Sequence, residues 1–176
     1  MRLIPTEIAG CRRVQLELFE DDRGYFTRVF DLAELRRVDP SFQVAHMNRS
    51  FTRARGAIRG VHFQRPPRAE DKLVQCLAGR IFDVCVDNRP DSRTYRRWVG
   101  FELSPENMEL LWIPNGCGHA FQTLTGDCLV EYLVSQAYAP ELEGGIRWDD
   151  PAIGIAWPLP CTQTSEKDAR WPLLTP

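Results

Sequence analysis

A chain of 176 residues, 43% hydrophobic and 26% charged, fills one ordinary globular core and is too short for two comfortable domains. A net charge of −2 and a sequence pI near 5.9 exclude the basic excess that a nucleic-acid-binding protein carries. No apolar run approaches the ~20 residues of a membrane span, and the opening Met1–Glu7 meets a proline and an acid before any signal-peptide apolar stretch.

The first predicted strand runs from Cys11 to Phe19 and is ended by the turn at Asp21-Asp22-Arg23-Gly24. Tyr25 to Phe30 alternates again, which predicts a hairpin. Asp31 to Val38 carries an Asp N-cap and apolar residues at helical spacing, so a short helix stopping near Pro40 is expected. Strand character returns from Phe42 to Ser50. After the glycine-flanked stretch Gly56–Gln64, the run Arg65-Pro66-Pro67-Arg68 must be a loop, since neither proline can donate to a ladder.

Short β-rich runs then follow at Lys72–Leu77, Arg80–Val86, Tyr95–Leu103, Glu109–Ile113, Ala120–Leu124 and Cys128–Ser135, each closed by a Gly, Pro, Asn or Asp turn. Strands of this length and spacing predict an all-β sandwich or barrel. From Tyr138 onward the chain is rich in loop residues and tryptophan. It predicts a tail wrapped on the barrel, with one helical turn near Ser165–Asp168. One domain over 1–176 is expected: N-terminal strands and a short helix in 1–50, a barrel core in 51–140 and the tail in 141–176. The six cysteines form no C-x-x-C and several sit at apolar strand positions. They predict buried free thiols in a reducing cytoplasm.

The candidate chemistry lies in three places. Gly56 is followed after five residues by His62, Lys72 after six by Gly79, and Pro114-x-Gly116 by His119. These spacings resemble the two cupin motifs, whose barrels usually hold a metal on histidines and a glutamate. Here Gln64 stands where a second histidine is expected and Lys72 where the glutamate is. An ammonium repels a divalent cation and an amide is a poor substitute for imidazole, so a metal site would need His46, His62 and His119 to converge. A histidine beside cationic groups with no cofactor signature suits proton abstraction next to a carbonyl. His62 would take the proton and Lys72 would stabilise the enolate oxygen. Lys72 and Lys167 are the only lysines in a chain whose other cationic side chains are arginine.

Further segments carry a more specific resemblance: Arg59-Gly60-Val61-His62-Phe63-Gln64, Lys72-Leu73-Val74, Asp83-Val84-x-Val86-Asp87-x-Arg89, Ile113-Pro114-x-Gly116-x-x-His119 and Trp148-x-Asp150-Pro151. In this order they resemble the dTDP-4-dehydrorhamnose 3,5-epimerase family, cofactor-free nucleotide-sugar epimerases of the cupin superfamily, from about Arg23 to Leu174. The resemblance implies a cupin-type double-stranded β-helix (jelly-roll) barrel, with no cofactor and no metal. It implies His62 as base paired with Asp168, Tyr132 as the acid on the opposite face, and Lys72 at the enolate. Arg59 and His119 would contact the substrate as well.

It further implies a homodimer with N-terminal strand exchange, in which Arg23 meets the diphosphate from the partner subunit. Asn48, Glu143 and Lys167 would be further substrate contacts, and Tyr138 would stack on the base. His46 and Arg28 depart from residues common in the family and lie near the substrate-contacting segments. They leave the sugar, the nucleotide and the number of carbons inverted open. A C3-only epimerase, a metal-dependent cupin and a non-catalytic sugar-nucleotide-binding module are the alternatives.

Overall fold

In the computed structural model, which describes residues 1–174, two antiparallel sheets face each other and close a jelly-roll barrel. The strands are β1 (Arg2–Pro5), β2 (Arg12–Gln15), β3 (Leu18–Asp21), β4 (Gly24–Thr27), β5 (His46–Thr52), β6 (Ile58–Gln64) and β7 (Lys72–Ala78). They continue as β8 (Ile81–Asp87), β9 (Trp98–Leu103), β10 (Glu109–Ile113), β11 (Cys117–Thr123), β12 (Cys128–Val134) and β13 (Glu143–Gly145). One sheet has the order β1-β2-β10-β7-β12-β5 and the other β13-β6-β11-β8-β9, while β3 and β4 form a separate hairpin. Two short helices, α1 (Leu32–Leu35) and α2 (Glu166–Arg170), complete the fold. Among the described residues no helix is long and apolar enough to cross a membrane.

Period-2 alternation sorts the side chains into three layers. Between the sheets lie Val74, Cys76, Leu111, Ile113 and Val130 from the first, against Ile81, Cys85, Leu103 and Phe121 from the second. The outer face of the first sheet, with Leu73, Leu110 and Trp112, is covered by Leu35 of α1 and by Phe42, whose ring meets Trp112 edge-on at 4.6 Å. The outer face of the second sheet, with Val84, Val86 and Ala120, is covered by Ile146, Ile153 and Trp157 of the C-terminal segment. Each sheet therefore carries apolar side chains packed on both faces, except along β5, where Met47 and Phe51 stay exposed. Cys11, Cys76, Cys85, Cys117 and Cys128 are buried free thiols, and Cys161 is partly exposed and free.

Several boundaries differ from the sequence expectations for identifiable reasons. The strand expected from Cys11 to Phe19 is two. β2 pairs with β10 and ends where the Leu16 N–H donates to Met108 O, and β3 turns away to pair with β4 alone. The strand expected from Phe42 starts at His46, because Phe42 is drawn into the outer core by a turn on Asp39. β9 starts at Trp98 rather than Tyr95, since Ser92 and Thr94 donate side-chain hydrogen bonds to Asp87 and hold the preceding residues in turns. The helix over 31–38 is confined to α1, with Asp31 as its N-cap. β1 and β13 have no clear signal in the sequence. β5 runs across position 50, and β13 pairs with β6, so the N-terminal, central and C-terminal segments share one barrel. Positions 175 and 176 of the expected tail lie outside the described residues.

Candidate active site

The side chains that converge do so because of where their strands sit. β6 and β11 belong to one sheet, and β7, β12 and β5 to the other, so the barrel mouth is lined from both sides. Arg59 and His62 are three residues apart on β6 and would point to opposite faces of a regular strand. The register between β6 and β11 shifts here: His119 pairs with His62 while Ala120 pairs with Gly60, so Val61 is the extra residue. This bulge returns Arg59 and His62 to the same, inward face. Gly60 permits it. Its φ is +115°, and a Cβ there would lie 2.5 Å from His119 O and 2.7 Å from Ala120 Cβ.

Arg59, His62, Lys72, His119 and Tyr132 line a cleft of about 690 Å³, closed on one side by Ser165 and Asp168. His62, Lys72 and Tyr132 also line an adjoining lobe of about 270 Å³ with His46, Asn48 and Tyr138. These three side chains thus form the junction between two lobes. His62 Nε2 lies 2.6 Å from Asp168 Oδ1, and Asp168 Oδ2 accepts the Gly60 N–H at 3.2 Å. α2 delivers this carboxylate: Ser165 caps the helix by accepting the Asp168 N–H at 3.0 Å. Burial pushes the Asp168 carboxyl up, but the hydrogen bond and charge of His62, with Gly60 and Ser165, outweigh it and hold the carboxyl below its ordinary range. A carboxylate accepting from Nε2–H fixes the tautomer with the lone pair on Nδ1, as a base requires.

His119 is oriented similarly, with Nε2 2.7 Å from Oδ1 of fully buried Asp83. Burial pushes the Asp83 carboxyl up, against the opposing charges of His119 and Lys72. Lys72 is 7% exposed and pairs with Glu70 at 3.2 Å. Arg59 is held by Nε donating to Thr52 Oγ1 at 2.9 Å and by a bond to Phe51 O. Burial raises the Tyr132 phenol above its usual value, Glu70 adds to the rise and Arg59 opposes it. At the outer edge, Glu143 joins two expected contacts, accepting from Tyr138 at 3.2 Å and from Lys167 at 2.6 Å.

Two expected site residues stand apart within the chain. Arg23 sits at the β3–β4 turn, paired with Asp21, and Arg28 pairs with Asp31 beside the same hairpin; neither lines the two lobes. The sequence assigns no site role to Asp83, which appears there only within a family-like segment, or to Glu70. Asp83 carried a signal, a carboxylate in phase with inward apolar residues of β8, whereas Glu70 precedes its strand and carried none. Among the described residues no three His, Cys, Asp or Glu side chains group as metal ligands. Gln64, at a cupin ligand position, spends its amide on the backbone, donating to Arg68 O and Ala137 O and accepting from Ala139 N.

A jelly-roll barrel with a carboxylate-oriented histidine on one wall and a buried lysine and a half-buried tyrosine on the other is a cupin-type scaffold fitted for proton transfer. The family model for dTDP-4-dehydrorhamnose 3,5-epimerase matches residues 5–176. The chain belongs to the dTDP-4-dehydrorhamnose 3,5-epimerase family. It is 44% identical to the Sinorhizobium fredii enzyme of that name over 95% of this chain and 86% of the relative. The crystal structure of dTDP-4-dehydrorhamnose 3,5-epimerase from Bacillus anthracis, with TDP and PPi bound, superposes with a TM-score of 0.93 at 36% identity, covering 98% of this chain and 99% of that one. A 3'-monoepimerase from Streptomyces bikiniensis in complex with dTDP-quinovose superposes at 0.87 with 32% identity, over 96% and 86%.

Proposed function

We propose that this protein inverts C3 and C5 of dTDP-4-keto-6-deoxy-D-glucose, giving dTDP-4-keto-L-rhamnose, with His62 as base and Tyr132 as acid. The observation that carries this is the placement of His62 and Tyr132 on strands of opposing sheets that meet at one cleft. A sugar ring between them is deprotonated from one side and reprotonated from the other, which inverts the carbon without redox chemistry.

The 4-keto group acidifies the hydrogens on C3 and C5. Nδ1 of His62 accepts the proton, and Asp168 stabilises the resulting imidazolium. The electron pair moves to O4, where the Lys72 ammonium and His119 favour the enolate. Tyr132 delivers its proton to the opposite face, and exchange with water restores both groups. Arg59 completes the sugar site. The nucleotide extends along the smaller lobe past His46 and Asn48, with Tyr138 as a stacking platform and Lys167 and Glu143 at the rim.

The protein works as a single catalytic domain and a homodimer, in which the β3–β4 hairpin crosses to the partner and brings Arg23, with Arg28 at its base, to the diphosphate. The buried free thiols suit the cytoplasm. Incubation with dTDP-4-keto-6-deoxyglucose in deuterated water tests the activity: deuterium at both C3 and C5 is expected, and none at either sinks the assignment. His62→Ala should abolish this exchange; near-native exchange would remove His62 as base. Chelator treatment should leave it intact, and loss of activity would favour a metal-dependent cupin. The likeness to a 3'-monoepimerase supports a second reading, inversion at C3 alone, which predicts deuterium at C3 only.

A further inference from the structure

The junction between the lobes holds one charged group that the scheme above leaves idle. Glu70 lies two residues before Lys72, its carboxylate is 3.2 Å from the Lys72 ammonium, and its side chain is 14% exposed. It lines the smaller lobe together with Tyr132. An ammonium as buried as that of Lys72 needs a partner, because withdrawing its charge from water is unfavourable. Asp83, whose carboxyl feels the Lys72 charge, spends Oδ1 on His119, and the ion pair of the ammonium is with Glu70. Glu70 therefore fixes where the ammonium stands.

We propose that Glu70 is a positioning residue: through its 3.2 Å ion pair it holds the Lys72 ammonium at the enolate side of the cleft, in the lobe wall that both share with the Tyr132 phenol. The inference rests on the roles given above to Lys72 and Tyr132. The charges around Tyr132 make the effect readable. Asn48 lies directly opposite on β5 and is neutral. Arg59 on β6 favours the phenolate, and His62 of the same strand lines the cleft with it. His119 on β11 has its ring 6.4 Å from that of Tyr132 and is backed by Asp83 on β8. From β7 Lys72 lines both lobes with Tyr132 and is paired with Glu70. Glu143 on β13 and His46 on β5 sit farther along the smaller lobe. A tyrosine that must give a proton in every inversion is useful only while protonated.

The test uses Glu70→Gln and Glu70→Asp in the full chain. Tyr132 is titrated without substrate by tyrosinate absorbance, as the difference from Tyr132→Phe. In Glu70→Gln the midpoint should fall by several tenths of a pH unit, and kcat should drop about tenfold with KM held within about twofold. Glu70→Asp, which keeps the charge but retracts it, should titrate near wild type and lose activity only severalfold. It also reports if the glutamine variant fails to fold. An unmoved titration in Glu70→Gln, or wild-type or raised kcat in either variant, overturns the proposal. A wild-type protein that exchanges no deuterium would instead sink the epimerase assignment, while the substrate-free titration still reports on Glu70.

Discussion

His62 and Asp168 are 106 positions apart in sequence and 2.6 Å apart in space. The histidine is legible from its spacing after Gly56, because a strand entering a barrel at a glycine turn presents a residue inward. The aspartate has no spacing that ties it to a histidine so distant, and only resemblance to a family pointed to it. Asp168→Asn keeps the shape but can turn its NH2 toward the ring and reverse the tautomer. Its kcat should fall on the order of 10²-fold or more, with KM little changed in steady-state assays.

The same residue has a pH signature. Its folded-state carboxyl is held low, so its stabilisation is present above the ordinary aspartate range and lost as pH falls through that range toward the depressed value. Thermal midpoints of wild type and Asp168→Asn should therefore differ most near neutrality and converge under acid. Tyr132→Phe should impair completed inversion more than initial proton loss, seen as deuterium wash-in that outpaces product formation.

At the scale of the element, β6 shows how one irregularity makes a site. Arg59-Gly60-Val61-His62 reads as plain alternation, and alternation places its arginine and histidine on opposite faces. The register shift against β11 puts them on one. Gly60→Ala would force a Cβ against His119 O and Ala120 at a positive φ. A loss of about 1–3 kcal/mol is expected, measured as a lower denaturation midpoint with unchanged slope. Activity should fall further than stability alone explains, since Arg59 and His62 move relative to each other. The break between β2 and β3 teaches a related lesson: continuous alternation across Leu16 and Glu17 does not reveal that the partner strand changes.

At the scale of the molecule, a single chain leaves the β3–β4 hairpin unfinished. Phe19, Tyr25 and Phe26 are 56%, 56% and 64% exposed, and the hairpin pairs with neither sheet of its own chain. A protruding ribbon with three bare aromatic rings suits burial against a second copy. Sedimentation should give a dimer. Mixing subunits carrying Arg23→Ala with subunits carrying His62→Ala gives a sharper readout. If Arg23 serves the partner's cleft, each mixed dimer contains one intact site, and a wild-type KM returns to a fraction of the sites. If it serves its own cleft, no intact site forms and KM stays high.

The all-β class, most strand positions, the Asp31 helix cap, the buried thiols and the inward histidines and lysine follow from the sequence by itself. Alternation, turn residues and capping side chains act over a few positions, so they can be read locally. Tertiary structure alone decided which strands share a sheet, which carboxylate meets His119, and that Arg59 and His62 face the same cleft. Those outcomes depend on register and on contacts between residues up to 106 positions apart, where the chain's local pattern carries no information about its partner.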